Sequence, residues 1–151
     1  MPHKTTSQRA AEDRREGKSP GTQAGEFVRE EIEHVREGKH GARSAKQAIA
    51  IGLSKARRAG VKLAPPSAAR TSTETRRRAA RDLSLGKSGA RRTSSRRSRA
   101  TLGALRRESH RTTSRKALSR QAKTSAATRS RASRSRAARR AAATRKRERQ
   151  R

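Results

Sequence analysis

Arginine is the residue type in this sequence whose chemistry points most directly to a ligand. The chain carries 33 Arg and ten Lys against 12 Asp and Glu, for a formal net charge of +31. A guanidinium group binds two phosphate oxygens through a planar fork of N–H donors, which a Lys ammonium does not offer. The composition therefore predicts a phosphate-bearing polyanion as the partner, and we expect nucleic acid.

The basic residues that we expect to contact phosphate begin in the middle of the chain and continue to its end. Residues 67–151, called here the C-terminal arm, hold 29 basic residues against four acidic ones, a net charge of +25. Contacts to about eight duplex phosphates would give a log–log salt slope near −7. The candidate phosphate-binding residues are Arg43, Lys46, Lys55, Arg57, Arg58, Lys62, Arg76, Arg77, Arg78, Arg81, Arg91, Arg92, Arg96, Arg97, Arg139 and Arg140.

Base-specific recognition is not expected from this composition. Phe27 is the only aromatic residue, so no platform exists for stacking single-stranded bases, and the chain contains no Asn for adenine readout. We therefore expect mostly non-specific binding, to duplex DNA rather than RNA. An alternative is an RNA- or ribosome-associated protein, or a regulatory adaptor whose N-terminal helices bind a protein partner or a second copy of the chain.

The sequence contains fragments of enzyme motifs, but their spacing is wrong. Gly86-Lys87-Ser88 resembles the end of a phosphate-binding loop, but the glycine required five residues earlier is Arg81. Ser84 and Lys87 have the Ser-x-x-Lys spacing of acylating enzymes, whose companion motifs are absent. We predict no catalytic residue, no cofactor and no enzyme activity.

A metal site is also not expected. His34 and His40 are separated by five residues and the chain contains no Cys. We interpret His34 as a surface residue of a helix and His40 as a loop residue. We predict no metal ligand.

The first of two predicted helices covers residues 22–37. Val28, Ile32 and Val35 recur at the spacing of one helix face, and Gly38 ends the pattern as a C-terminal glycine does.

The second predicted helix covers residues 44–59. Ser44 with Gln47 three positions later forms a capping box at its start. Its core-facing stripe is small enough to let another helix approach closely, and consists of Ala45, Ala48, Ile49, Gly52, Leu53 and Ala56. With the first helix it would form a helical hairpin.

The charges of this hairpin allow two interpretations. The first helix is acidic, whereas the second carries Lys46, Lys55, Arg57 and Arg58 without counter-charge of its own. Either the second helix lies on nucleic acid, as the reader of a small helix-turn-helix or by phosphate contact, or the acidic helix simply neutralises it.

The fold class expected is mostly α with extensive disorder. Pro65-Pro66 separates the hairpin from a basic helix near 72–83, and low-complexity Arg/Ser/Ala sequence follows. The predicted segments are a mixed-charge N-terminal segment (1–19), the hairpin (20–66), a basic helical segment (67–86) and a disordered cationic tail (87–151). No apolar run approaches the ~20 residues of a membrane span.

Residues 8–87 resemble a family of small basic bacterial proteins. The resemblance rests on the distinctive run from Glu37 to Gly60, including Gly38-Lys39-His40-Gly41-Ala42-Arg43-Ser44, and on Thr75-Arg76-Arg77-Arg78. That family is known as a domain of unknown function and is often labelled putative DNA-binding, and the tail is similar in composition to bacterial histone H1-like proteins. The family has no established activity, and it is the net charge of +25 on the C-terminal arm that predicts a histone-like protein of the cytoplasm, associated with the bacterial nucleoid.

Overall fold

The computed structural model describes residues 4–89 and 94–150, in which all regular elements are helical. The chain divides into two compact units between Ser114 and Arg115. The helices of the first unit are α1 (Lys4–Arg15), α2 (Pro20–Arg36), α3 (Ala45–Arg58), α4 (Thr73–Lys87) and α5 (Ser95–Arg106), with 3-10 turns at Ala68–Arg70 and Arg111–Thr113. The second unit contains α6 (Arg115–Ala127) and α7 (Arg131–Arg149).

Helices α2, α3 and α4 lie where the sequence predicts them, with ends that differ by at most four residues. Ser44 caps α3 by accepting a hydrogen bond from the Gln47 amide (3.2 Å), and the Gln47 side chain accepts one from the Arg43 amide (2.6 Å). The first bond satisfies one of the free N–H groups at the start of α3, whereas the second is made by the residue before the cap, so the predicted capping box closes on Arg43 instead of Ser44.

Helix α3 crosses α2 at very short range. A Cβ atom on Gly52 would lie 2.6 Å from the Val28 Cα, so no other residue fits between the two backbones. Four residues of the predicted stripe, Ala45, Ala48, Gly52 and Ala56, are buried, whereas Ile49 and Leu53 are half-buried. The predicted close approach of the hairpin helices is confirmed.

The largest buried apolar side chain belongs to Phe27, in a core shared by three helices. It lies with Ala10 of α1, Ala24 of α2, Ala56 of α3, and Val61 just beyond α3. Helix α1 was not predicted from the sequence. It packs against α2 through Ala10 and through an ion pair between Arg9 and Glu26.

Helix α4 packs on the other side of α3. Ala79 is buried there, and Asp82 accepts a hydrogen bond from the Ser54 hydroxyl (2.6 Å). Near the end of α4, a Cβ atom on Gly86 would lie 2.0 Å from the Arg57 carbonyl oxygen, so a glycine is required at this contact.

The C-terminal end of α5 and the segment after it dock on the loop between α2 and α3. Gly41 N–H donates to the Leu105 carbonyl (2.8 Å), and Ala42 N–H donates to the Ser109 carbonyl (3.1 Å). A Cβ atom on Gly41 would lie 1.8 Å from the Glu108 carbonyl oxygen. The hairpin loop is therefore completed by residues far along the chain.

The prediction of extensive disorder is wrong, because residues 95–106, 115–127 and 131–149 are α-helical. That prediction rested on the scarcity of apolar residues, and these three helices do contain no buried residue. Their composition favours helix for another reason, since Ala, Arg, Lys and Gln have high intrinsic helix propensity. Ser130 also caps α7 by accepting a hydrogen bond from the Ser133 amide (3.2 Å).

Across residues 4–89 and 94–150, no helix combines the length and the apolar character that crossing a bilayer requires.

Candidate nucleic-acid interface

The guanidinium group of Arg57 is turned into the protein. Its Nε donates to the Leu63 carbonyl (3.1 Å) and its Nη2 to the Ala64 carbonyl (3.3 Å), and the residue is only 7% exposed. Burial lowers the pKa of Arg57, while the carboxylate of Asp82 acts in the opposite direction. Arg57 holds the segment after α3 against the helix end, and this contact occupies two of its five N–H donors.

Lys55 is held by a buried carboxylate. Its Nζ pairs with Oε2 of Glu31, whose side chain is fully buried between α2 and α3. For this residue the structure supports the interpretation in which the acidic helix neutralises the basic one. A contact between Lys55 and phosphate would first have to break this pair.

Two further basic side chains of the first unit are exposed but lie near carboxylates. Arg58 Nε is 3.7 Å from Asp82 Oδ1, and Arg43 Nε is 3.6 Å from Glu108 Oε1. The Arg43 side chain remains 82% exposed, so this pair contributes little and the guanidinium can still reach a ligand. Lys46 and Lys62 are also exposed.

Helix α4 presents its basic residues to solvent, since Arg76, Arg77, Arg78 and Arg81 are all exposed. Arg78 pairs with Glu74 one turn earlier. Arg77 and Arg81 are four residues apart, and on a helix they lie opposite the buried Ala79. These two guanidinium groups form an outward-facing pair.

The remaining candidates lie on α5 and α7 or outside the described residues. Arg96 and Arg97 are exposed in the first turns of α5, and Arg139 and Arg140 are exposed in the middle of α7. The predicted contacts at Arg91 and Arg92 fall outside the described residues.

The second unit has a higher density of basic residues than the first unit. Residues 115–151 contain 15 Lys and Arg and a single acidic residue, Glu148. Nine of these basic residues lie on α7, which at 19 residues is about 28 Å long. Because α7 buries no residue, its guanidinium groups stay accessible.

One cluster of polar side chains was not anticipated from the sequence. Glu31 and His34 are one turn apart on α2, and the following loop brings His40 to them, with the rings of the two His 6.2 Å apart. His40 Nε2 is 3.2 Å from Glu31 Oε1. Burial is the main cause that lowers the pKa of His34, and the charges of Lys39 and Lys55 add to it.

The spacing of Glu31 and His34 was the available signal for this cluster, because residues three apart share a helix face. The contribution of His40 depends on the path of the loop, which the sequence pattern does not specify.

Residues 15–67 match the model of a family of unknown function, DUF6496. The matched segment covers α2 and α3 and the chain that joins and follows them. The resemblance to a family of unknown function is confirmed over these residues. No curated protein matches this chain. No solved structure matches it either.

Proposed function

We propose that this protein binds duplex DNA without sequence specificity, as a nucleoid-associated, histone-like protein. The proposal is carried by the second unit, which has 15 basic residues and one acidic residue; 13 of the 15 lie on α6 and α7, helices that bury none of their residues. Guanidinium groups on such a surface bind phosphate oxygens and release the counterions condensed on the duplex.

The first unit would contribute a smaller set of contacts. Arg77 and Arg81 on α4 face outward together, and Lys46 is exposed at the start of α3. Helix α3 does not favour groove reading, because α2 and α4 pack against it and only Lys46 is exposed among residues 45–48 of its first turn. A reading helix needs several free side chains near its start.

The experiment measures the affinity of the full chain for a duplex of about 30 base pairs across a salt series. The test variant changes Arg136, Arg139 and Arg140 of α7 to Gln, which keeps the helix propensity and removes three charges. We expect weaker binding and a log–log salt slope whose magnitude falls by up to about 2.7, or about 0.9 for each phosphate that is no longer neutralised.

The matched control changes Arg14, Arg15 and Arg29 to Gln, which removes the same charge from exposed positions on α1 and α2. The control should keep the slope of the unmodified chain. Equal losses of affinity in both variants would show that net charge alone governs binding, and would refute the assignment to α7.

The same titration with a structured RNA of equal phosphate count tests the choice of nucleic acid. We expect duplex DNA to compete at least as well as the RNA. An affinity about tenfold higher for the RNA would replace the proposal with the RNA-associated alternative.

A further inference from the structure

We propose that Glu31, His34 and His40 form a binding site for one Zn²⁺ ion at the junction of α2 with the loop before α3. The inference does not depend on the proposed DNA binding. It rests on three donor groups brought together from two elements, and on a buried carboxylate oxygen that lacks a hydrogen-bond donor.

The donor atoms lie at separations close to those of a zinc site. Their mutual distances are all within 4.8 Å, and His40 Nε2 is 3.2 Å from Glu31 Oε1. Tetrahedral zinc with bonds of about 2.0–2.2 Å places its ligands about 3.3–3.5 Å apart. The His40–Glu31 pair already meets this separation, and a rotation of the half-buried His34 side chain would bring in the third ligand.

The hydrogen bonds of His40 favour a metal at its second ring nitrogen. His40 Nδ1 is 3.1 Å from the Gly41 carbonyl, which only accepts, so the tautomer that forms this hydrogen bond carries its proton on Nδ1. In this tautomer the lone pair of Nε2 is available to a metal, and Nε2 lies 3.2 Å from Glu31 Oε1 with no hydrogen bond between these two atoms. A ligating His commonly donates its other N–H to a backbone carbonyl in this way, which fixes the tautomer.

The Glu31 carboxylate has one oxygen available for a ligand. Its Oε2 pairs with Lys55 Nζ, while Oε1 is buried and accepts no hydrogen bond from the described residues. Two acceptor atoms 3.2 Å apart repel each other, and a cation bound between them would remove this repulsion. Zn²⁺ suits a set of two imidazoles and one carboxylate, with water as the fourth ligand.

Zinc bound here would have a structural effect. Glu31 and His34 belong to α2, whereas His40 directly precedes Gly41, whose N–H donates to the Leu105 carbonyl. The ion would fix the path of this loop and thereby support the docking of residues 105–113.

The test uses the full chain, freed of nucleic acid and dialysed against EDTA, and titrates it with ZnCl₂ against a chromophoric chelator. The variants are His34→Ala and His34→Gln, because His34 is only half-buried and its loss spares the core. The control is His110→Ala, an exposed His of the same unit that is not in the cluster. Circular dichroism checks that each variant keeps its helix content.

We expect about one Zn²⁺ per chain, an affinity at least about tenfold lower in both His34 variants, and no comparable loss in the His110 variant. Co²⁺ in place of Zn²⁺ should give the visible absorption of a tetrahedral site, and this band should disappear when His34 is replaced. Equal zinc affinity in the unmodified chain and the folded His34 variants would overturn the proposal, as would an equal loss in the His110 control. A proton shared between His40 and Glu31 would then be the occupant.

Discussion

At the scale of single residues, arginine side chains have two different environments in this protein, exposed to solvent or buried in hydrogen bonds with backbone carbonyls. Arg77 projects from α4 into solvent, whereas Arg57 gives two N–H groups to backbone carbonyls and is almost fully buried. Arg is able to do both because its fork of donors satisfies carbonyl oxygens as well as phosphate oxygens. Residue type alone therefore overestimates how many basic side chains are free to bind a ligand.

The pair between Lys55 and Glu31 leads to a stability prediction. Lys55→Met leaves a fully buried carboxylate without its cation, and we expect a loss of about 2–3 kcal/mol in the free energy of unfolding. Lys46→Met, on the exposed part of the same helix, should change it by less than about 0.5 kcal/mol. Urea unfolding followed by circular dichroism measures both, and similar values for the two variants would contradict a structural role for Lys55.

The candidate sites were predictable only in part. The exposure of Arg77, Arg81 and Arg139 agrees with their place in strongly basic stretches. The inward turn of Arg57 was not predictable, because it depends on where the chain after α3 folds back. The meeting of His34 with His40 is not predictable for the same reason, because the path of the loop after α2 decides it.

At the scale of elements, the contact between α2 and α3 follows directly from residue size. Gly52 has no side chain, and the Val28 backbone occupies the space where one would stand. Such a contact cannot relax without moving a whole helix.

The corresponding prediction compares two glycines. Gly52→Ala should lower the free energy of unfolding by about 1–3 kcal/mol, because its Cβ would overlap the backbone of α2. Gly25→Ala is the control, as this position lies in α2 with nothing within 4 Å of the added Cβ. It should raise the free energy of unfolding by about 0.5–1 kcal/mol through helix propensity. Urea unfolding measures both values, and the same sign for both substitutions would contradict the close crossing.

Whether a helix was predictable depended on which local signal its sequence carries, as α3, α1 and α7 show. Helix α3 had an N-cap signal at Ser44 and a stripe of small residues; the structure shows the cap, and Ala45, Ala48, Gly52 and Ala56 are buried. Helices α1 and α7 lack an apolar stripe, so hydrophobic periodicity does not predict them. Local propensity and the cap at Ser130 were the relevant signals for α7.

At the scale of the whole molecule, positive charge and buried structure are separated along the chain. The buried apolar residues lie between Ala10 and Ala79, whereas residues 115–151 carry a net charge of +14 and bury none of the described side chains. Electrostatic attraction to phosphate would then act mainly through a region that contributes no core.

This separation predicts indifference to DNA sequence. Two duplexes of equal length, one rich in A·T and one rich in G·C, should bind with affinities within about threefold at the same salt concentration, because phosphate contacts carry no base information. Fluorescence anisotropy at matched ionic strength measures both affinities. A difference above about thirtyfold would point to base or shape readout and contradict the proposal.

The docking of residues 105–113 on the loop between α2 and α3 bears on the order in which the protein folds. Thr112 Oγ1 donates to the Ala42 carbonyl across 70 positions, and Arg36 Nε donates to the Thr113 carbonyl across 77. During synthesis, α2 and α3 therefore emerge from the ribosome long before these partners exist. The segment matched by the family, residues 15–67, completes its own hydrogen bonds only when chain outside it has been made and has closed a loop of this length. The part of the chain that must fold together is therefore longer than the segment that the family model matches.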